Sequence, residues 1–113
     1  MSCIFCKIIS GEIPGEMLHQ DDEIVAFRDI HPRAPIHILI VPRKHIASMN
    51  EVEDRDLPLL GEMAGVAKQL AEREGISERG YRLVVNCGLE GGQTIPHLHM
   101  HLMGGRHLSG GMG

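Results

Sequence analysis

His97, His99 and His101 stand at alternate positions of the run from Gln93 to Met103. A strand sends successive side chains to opposite sides and rises ~3.3 Å per residue, so this spacing predicts three imidazoles on one face, neighbours ~6.6 Å apart. Leu98, Met100 and Leu102 would then face a core. Histidine titrates near neutrality and can act as nucleophile, acid, base or metal ligand, so such a face points to phosphate handling or to a metal site. From this strand alone both readings stay open, as does coincidence.

Just upstream lies Gly91-Gly92-Gln93-Thr94. Glycines allow backbone twists that aim several N–H groups at one anion, and the Thr94 hydroxyl and Gln93 amide would add neutral donors. A phosphate cradle is one reading of this loop, and a flexible turn is the other.

The elements that must position these residues can be placed by periodicity. Cys3 to Ser10 carries Ile4, Phe5, Ile8 and Ile9 as a short amphipathic helix, which Gly11 and Pro14 would stop. Met17–Gln20 and Ile24–Asp29 are predicted strands joined by Asp21-Asp22-Glu23, a hairpin connection in length and polarity. Pro35–Pro42 is bounded by prolines and apolar on both faces, as a central strand is. Glu53 to Glu74 places Leu57, Leu60, Ala64, Ala67 and Ala71 at helical spacing, with Pro58 in the first turn and Gly75 at the end. Tyr81–Cys87 and Pro96–Met103 complete the set as two further strands. The order helix, three strands, helix, two strands is an α+β pattern. Residues 1–103 read as one fold, and residues 104–113, with five glycines, read as a tail that is mobile unless a partner subunit pins it.

Composition narrows the function classes. The chain has 113 residues and a net charge of -4, enough for one domain that buries roughly 65% of its unfolded surface. Acids outnumber Lys and Arg, and Phe5, Phe27 and Tyr81 are the only aromatics, so neither the basic stripe nor the stacking platform of an extended nucleic-acid binder is present. No leader-like segment opens the chain, and the longest apolar run, Ile38–Val41, is far below the ~20 residues that span a bilayer. A soluble cytoplasmic protein without a membrane partner is expected. Three cysteines, two of them in Cys3-Ile4-Phe5-Cys6, fit reduced or metal-bound thiols better than a disulfide framework.

The run His97-Leu98-His99-Met100-His101-Leu102-Met103 resembles the signature of the histidine-triad (HIT) family, and the resemblance covers nearly the whole chain. Ile4-Phe5-Cys6-Lys7-Ile8-Ile9, Ala26-Phe27-Arg28-Asp29-Ile30, the stretch from Ala34 to His45, Tyr81 to Asn86, Gly91-Gly92-Gln93 and Gly104-Gly105-Arg106 extend it to the Hint branch. That branch comprises homodimeric purine-nucleotide phosphoramidases. The resemblance implies an α+β, HIT-like domain with a five-stranded, mainly antiparallel sheet, one short and one long helix, and two copies pairing into a ten-stranded sheet.

It also implies roles for residues. His99 would be the nucleophile that attacks phosphorus to form a nucleotidyl-imidazole, which water then hydrolyses, so that two steps replace one harder step. The carbonyl of His97 would fix the His99 tautomer, His101 would contact phosphate and supply a proton, and His37 would support them. Asp29 would bind ribose, while Ile30, Phe27, Ile4, Phe5 and Ile8 would form an apolar slot for the base. Asn86, Gly92, Gln93 and Thr94 would lie on the phosphate side. Without the resemblance, Phe27, Ile8 and Ile30 read first as core, and Asp29 as a turn residue near Pro32.

Cys3 and Cys6 have zinc-knuckle spacing, with His45 and His97 as candidates to complete a tetrahedral Cys2His2 set. Some relatives, including the distant galactose-1-phosphate uridylyltransferases, carry zinc on a corresponding set, so a structural Zn2+ is expected and no catalytic cofactor. His97 would then lock the strand through the metal and leave His99 and His101 for chemistry. Cys87 reads as a small buried hydrophobe, His19 and His31 as surface residues. The chain departs from the family pattern in its tail, which has no tryptophan, in Pro96 where an aromatic often stands, and in Thr94 where serine is common.

The expected function is hydrolysis of purine nucleoside phosphoramidates. The alternatives are a nucleotide-binding regulatory module with little catalysis, and metal-dependent hydrolysis.

Overall fold

The computed structural model describes residues 3–111. Its elements run α1 (Ile4–Ser10), β1 (Met17–Gln20), β2 (Ile24–Arg28), β3 (Ile36–Pro42), α2 (Leu57–Arg73), β4 (Tyr81–Val84) and β5 (Met100–Gly104), with two short 3-10 turns, Met49–Glu51 and Asp54–Asp56, ahead of α2. The strands form one sheet in the order β1-β2-β3-β5-β4, and every neighbouring pair is antiparallel. The α+β, five-stranded expectation holds, and β3 is the central strand. Among the described residues no helix is long and apolar enough to cross a membrane.

Alternation along the strands divides the core in two. Ile24, Ala26, Ile38, Ile40, Met100 and Leu102 pack on one face against Met63, Val66, Ala67 and Leu70 of α2. Val25, Phe27, Leu39 and Val41 face the other way and meet Phe5 and Ile8 of α1. The seven residues of α1 make about two turns, roughly 10 Å, so they cover only part of that second face. The remainder, beside β3 and β5, is left open as a cleft.

Three element boundaries differ from the sequence reading by more than one residue, each for a local reason. The last strand starts at Met100, not Pro96. Pro96 has no N–H to give a ladder, the His97 N–H turns back to the Ile95 carbonyl (2.8 Å), and the Leu98 N–H bonds the Ile46 carbonyl (2.7 Å) outside the sheet. The alternation of side chains nonetheless carries through: Leu98 lies in the α2-side core, and the histidines point the other way. Because the β5 partner begins only at Met100, β4 ends at Val84, opposite His101, and not at Cys87.

The long helix starts at Leu57, not Glu53. Asp56 accepts from the Glu53 N–H (3.1 Å) and from Lys44 Nζ (2.7 Å), which closes a separate turn before Pro58. At the other end Gly75 adopts φ +76, with the Ile76 N–H on the Ala71 carbonyl and the Gly75 N–H on that of Glu72. This left-handed cap ends the helix where the sequence placed it.

In the tail, Gly104 closes β5, and Arg106 Nη2 donates to the Arg33 carbonyl (2.9 Å). Met112 and Gly113 lie outside the described residues.

Candidate active site and metal-ligand cluster

His99 is 5% exposed, and its Nδ1–H donates to the His97 carbonyl at 2.6 Å. That bond leaves the Nε2 lone pair as the free one, because a carbonyl can only accept. The Phe5 ring stands edge-on to the imidazole, centroids 5.0 Å apart, and walls it from the base of α1.

Hydrogen-bond logic also assigns the neighbouring pair. The Arg33 backbone N–H donates to His37 Nδ1 (3.0 Å), so neutral His37 carries its proton on Nε2. His37 Nε2–H in turn reaches His101 Nδ1 at 2.9 Å, and neutral His101 therefore carries its proton on Nε2. The His99 and His101 rings lie 5.0 Å apart between centroids. The result is a lone pair on one imidazole beside an N–H on the next.

Burial keeps this pair uncharged. Burial is the main cause that lowers His101 to about 4, assisted by His99 and His37, while the Asp29 carboxylate opposes the shift. His37 is also lowered, again chiefly by burial, although Asp29 Oδ2 is 3.5 Å from its Nε2. Asp29 divides its work: Oδ1 accepts from the His31 N–H at 2.8 Å, which makes the expected turn.

Two cavities adjoin here. One, about 250 Å³, is the more polar of the two and is bounded on its polar side by Asp29, His31, Arg33, His37, Asn86, Gly92, Thr94, His99 and His101. The other, about 230 Å³, is an apolar slot between Ile4, Phe5, Ile8, Phe27 and Ile30. Phe5, Asp29, His31, Leu39 and Ile95 border both, so a single elongated ligand could lie across them with Asp29 at the junction. Ile30 is 75% exposed at the mouth of the slot and is not a core residue. A larger cavity, about 360 Å³, lies elsewhere around Gly75, Arg79, Gly80 and Arg106 and contains none of these histidines.

The glycine loop is built and not slack. A Cβ at Gly91 would run into the Cys87 carbonyl, and Gly92 takes φ +81. Asn86 Nδ2 donates to the Gly91 carbonyl at 2.7 Å. Gln93 does not line the cleft: its Nε2 donates to the carbonyls of Ala47 (2.8 Å) and Ile95 (2.9 Å), and its Oε1 accepts from the Gly88 N–H (3.0 Å). Its amide is spent on bracing the loop. His31, Arg33, Leu39 and Ile95 line the cavities without having been singled out in the sequence. Leu39 was legible, since it is two residues from His37 on the same strand face.

Behind His99 lies a second cluster. Cys3 Sγ, Cys6 Sγ, His45 Nδ1 and His97 Nδ1 fall within 4.8 Å of one another. His97 is fully buried, and its Nε2–H donates to the Pro42 carbonyl (2.9 Å), which turns the Nδ1 lone pair toward the cluster. The gaps are 3.2 Å between the two nitrogens, 3.4 Å for Cys3 to His97, 3.4 Å for Cys6 to His45 and 3.7 Å for Cys6 to His97. Bonds of ~2.05 Å to nitrogen and ~2.3 Å to sulfur place tetrahedral ligands roughly 3.3 Å (N···N) and roughly 3.6 Å (N···S) apart, so the spacing fits a metal. The donor chemistry agrees, since burial and then the Cys3 sulfur push the Cys6 thiol up, a penalty that a cation would reverse. The four residues could hold a metal ion.

Comparisons with known proteins match nearly the whole chain. A sequence family described as "Scavenger mRNA decapping enzyme C-term binding" matches residues 2–113. The purine nucleoside phosphoramidase of Escherichia coli strain K12 is 52% identical over 105 residues, 93% of this chain and 88% of that protein. A HIT family hydrolase from Legionella pneumophila superposes with a TM-score of 0.94 at 52% identity, over 96% of this chain and 97% of that one. A histidine triad protein from Clostridium difficile superposes at 0.96 with 40% identity, over 99% and 97%.

The depressed His101 value carries a stability prediction. The folded protein binds fewer protons than the unfolded chain between about 6.5 and about 4, so stability is greatest above that window and falls as pH drops through it. The shift corresponds to at most about 3 kcal/mol, and solvent screening at the partly exposed ring brings the expected loss below that. Urea unfolding between pH 7.5 and pH 4, a range set by the shift, should show this loss, and His101→Asn should flatten the profile relative to wild type. Identical profiles for the two proteins would show that His101 is not the group responsible.

Proposed function

The chain belongs to the histidine-triad (HIT) family of hydrolases, and we propose that it hydrolyses purine nucleoside phosphoramidates through a covalent nucleotidyl intermediate on His99. The observation that carries this reading is the 2.6 Å bond from His99 Nδ1–H to the His97 carbonyl, which fixes the tautomer a nucleophilic imidazole needs. The phosphoramidase named among the relatives supports the substrate class.

In this reading the base enters the slot of Ile4, Phe5, Ile8, Phe27 and Ile30, and the ribose hydroxyls meet Asp29. Phosphorus then sits among His99, His101, Asn86, Gly92 and Thr94. The His99 Nε2 electron pair forms the bond to phosphorus as the phosphorus–amine bond breaks. The amine must leave with a proton, and His101 Nε2–H, backed by His37, is the group placed to deliver it. A bound phosphoryl anion offsets the burial that keeps this pair neutral in the free protein, so the pair gains a proton as substrate binds. Water then attacks phosphorus, its proton passes to the same pair, and the bond to His99 breaks to release the nucleoside monophosphate. His97 acts through its carbonyl. Gln93 supports the loop that carries Gly92 and Thr94.

We assign Cys3, Cys6, His45 and His97 to a structural Zn2+, whose contribution when bound is to fix the ring of His97 and the start of α1. The Pro42 carbonyl on His97 Nε2–H is the outer-shell partner such a ligand requires. We also read the protein as a homodimer formed across the open edge of β4, where Leu83 and Val85 are exposed. A cytoplasmic setting suits Cys3, Cys6 and Cys87, which form no disulfide.

Two measurements test this reading. Intact-protein mass after rapid quenching with an adenosine phosphoramidate should reveal a transient adduct one adenylyl group heavier in wild type and absent in His99→Ala. Tight nucleotide binding without adduct or released amine would replace the enzyme with a binding module. Elemental analysis should find about one zinc per chain, lost in Cys6→Ser with a fall in Tm of roughly 5 °C or more. Turnover lost on chelation with the fold intact would point to a catalytic metal instead.

A further inference from the structure

Arg33 is fixed at the polar cleft by its backbone and free at its side chain. Its N–H is bonded to His37 Nδ1 (3.0 Å) and its carbonyl to Arg106 Nη2 (2.9 Å), so the position of its Cα is tied to the histidine pair on one side and to the chain after β5 on the other. Among the described residues its guanidinium has no hydrogen-bond or ion-pair partner. By contrast, Arg28 is paired with Glu16 and Glu74, Arg55 with Glu53 and Lys44 with Asp56. An exposed arginine on an acidic protein is ordinary. One anchored at both peptide groups on the rim of a reaction cleft, with no acid holding it, is available to a ligand.

Its place in the cleft says which part of a ligand. The apolar slot and the polar cavity share Asp29 and His31, but Arg33 borders only the polar cavity, with His37, His99 and His101. A nucleotide with its base in the slot and ribose at Asp29 therefore reaches His99 with its phosphorus and extends toward Arg33 only with what is attached beyond. The charge of Arg33 is felt there, since it contributes to the lowering of both His37 and His101. Asp29 is the one carboxylate bordering that cavity, and both its oxygens face other groups, the His31 N–H and the His37 ring.

We propose that Arg33 is a specificity-determining residue that favours phosphoramidates whose departing amine carries a carboxylate over those whose amine side is neutral. This deepens the phosphoramidase reading and rests on it. The planar fork of a guanidinium matches a carboxylate in two parallel N–H···O bonds, and the charge-assisted pair is stronger where the surrounding cleft is partly shielded from water. The bond made and broken at phosphorus is unchanged, and Arg33 acts only on the amine side.

The test compares two adenosine phosphoramidates of one amino acid, with a free α-carboxylate or with the neutral carboxamide, in wild type, R33Q, R33K and R33E. Wild type should favour the carboxylate by roughly fivefold to tenfold in kcat/KM. R33Q should bring that ratio near one, R33E should invert it, R33K should restore part of it, and added salt should shrink it in wild type. A ratio that R33Q and R33E leave unchanged overturns the inference, and so does an equal loss on both substrates, which would place Arg33 on the phosphoryl group. Wild type turning over neither compound would overturn the phosphoramidase reading as well, an outcome distinct from turnover of both without discrimination.

Discussion

The site depends on how His97 is held. Its side chain is fully buried, its Nε2–H is bound to the Pro42 carbonyl, its Nδ1 faces two thiols and His45, and its own carbonyl receives the His99 N–H. A neutral imidazole buried without partners would cost free energy and could rotate. Here every polar atom is committed, and no buried side-chain polar atom among the described residues lacks a partner. The tautomer of His99 is thus set by backbone geometry that is itself pinned by a side chain two residues earlier.

That arrangement is possible because His97 to His99 leave the ladder. In a regular strand the peptide carbonyls would lie in the sheet plane, engaged with a neighbour. With Pro96 breaking the ladder and Leu98 N–H diverted to Ile46, the His97 carbonyl is free to accept from a side chain. The cost is three fewer residues of sheet on β4 than the sequence pattern runs to, and the gain is a fixed imidazole at the margin of the core. Leu98 and Leu102, both buried on the α2 side, anchor the segment at either end of the irregular stretch and the strand.

Most of the fold was legible because apolar alternation survives small changes in hydrogen bonding. His97, His99 and His101 point to the same side although only His101 is in a strand, and Ile38, Ile40, Leu39 and Val41 divide between the two cores as a central strand requires. What escaped were features set by tertiary partners. Gln93 looks like a phosphate donor until the Ala47 carbonyl, far away in sequence, claims its amide. His31 and Arg33 look like loop polar residues until the turn at Asp29 folds them over β3. The 3-10 turn before α2 depends on Lys44 meeting Asp56, which no local pattern announces. The Cys3, Cys6, His45, His97 set was readable from spacing for the cysteines alone; the two histidines join them only because the β3 end and the segment after Pro96 converge.

Helix α1 links the metal-ligand cluster to the apolar slot. Cys3 caps it, with Sγ accepting from the Cys6 N–H at 3.4 Å, and within the next turn Phe5 touches both His97 and His99 while Ile4 and Ile8 line the slot. A seven-residue helix has little stability of its own, since so short a segment barely recovers the cost of nucleation. Its position must come from Phe5 against Phe27 on the sheet and from the two thiols at its first turn. Whatever holds those thiols against His45 and His97 therefore also sets the width of the slot and the packing on His99. One corner of the molecule governs the shape of the slot and how the imidazole beside it is aimed.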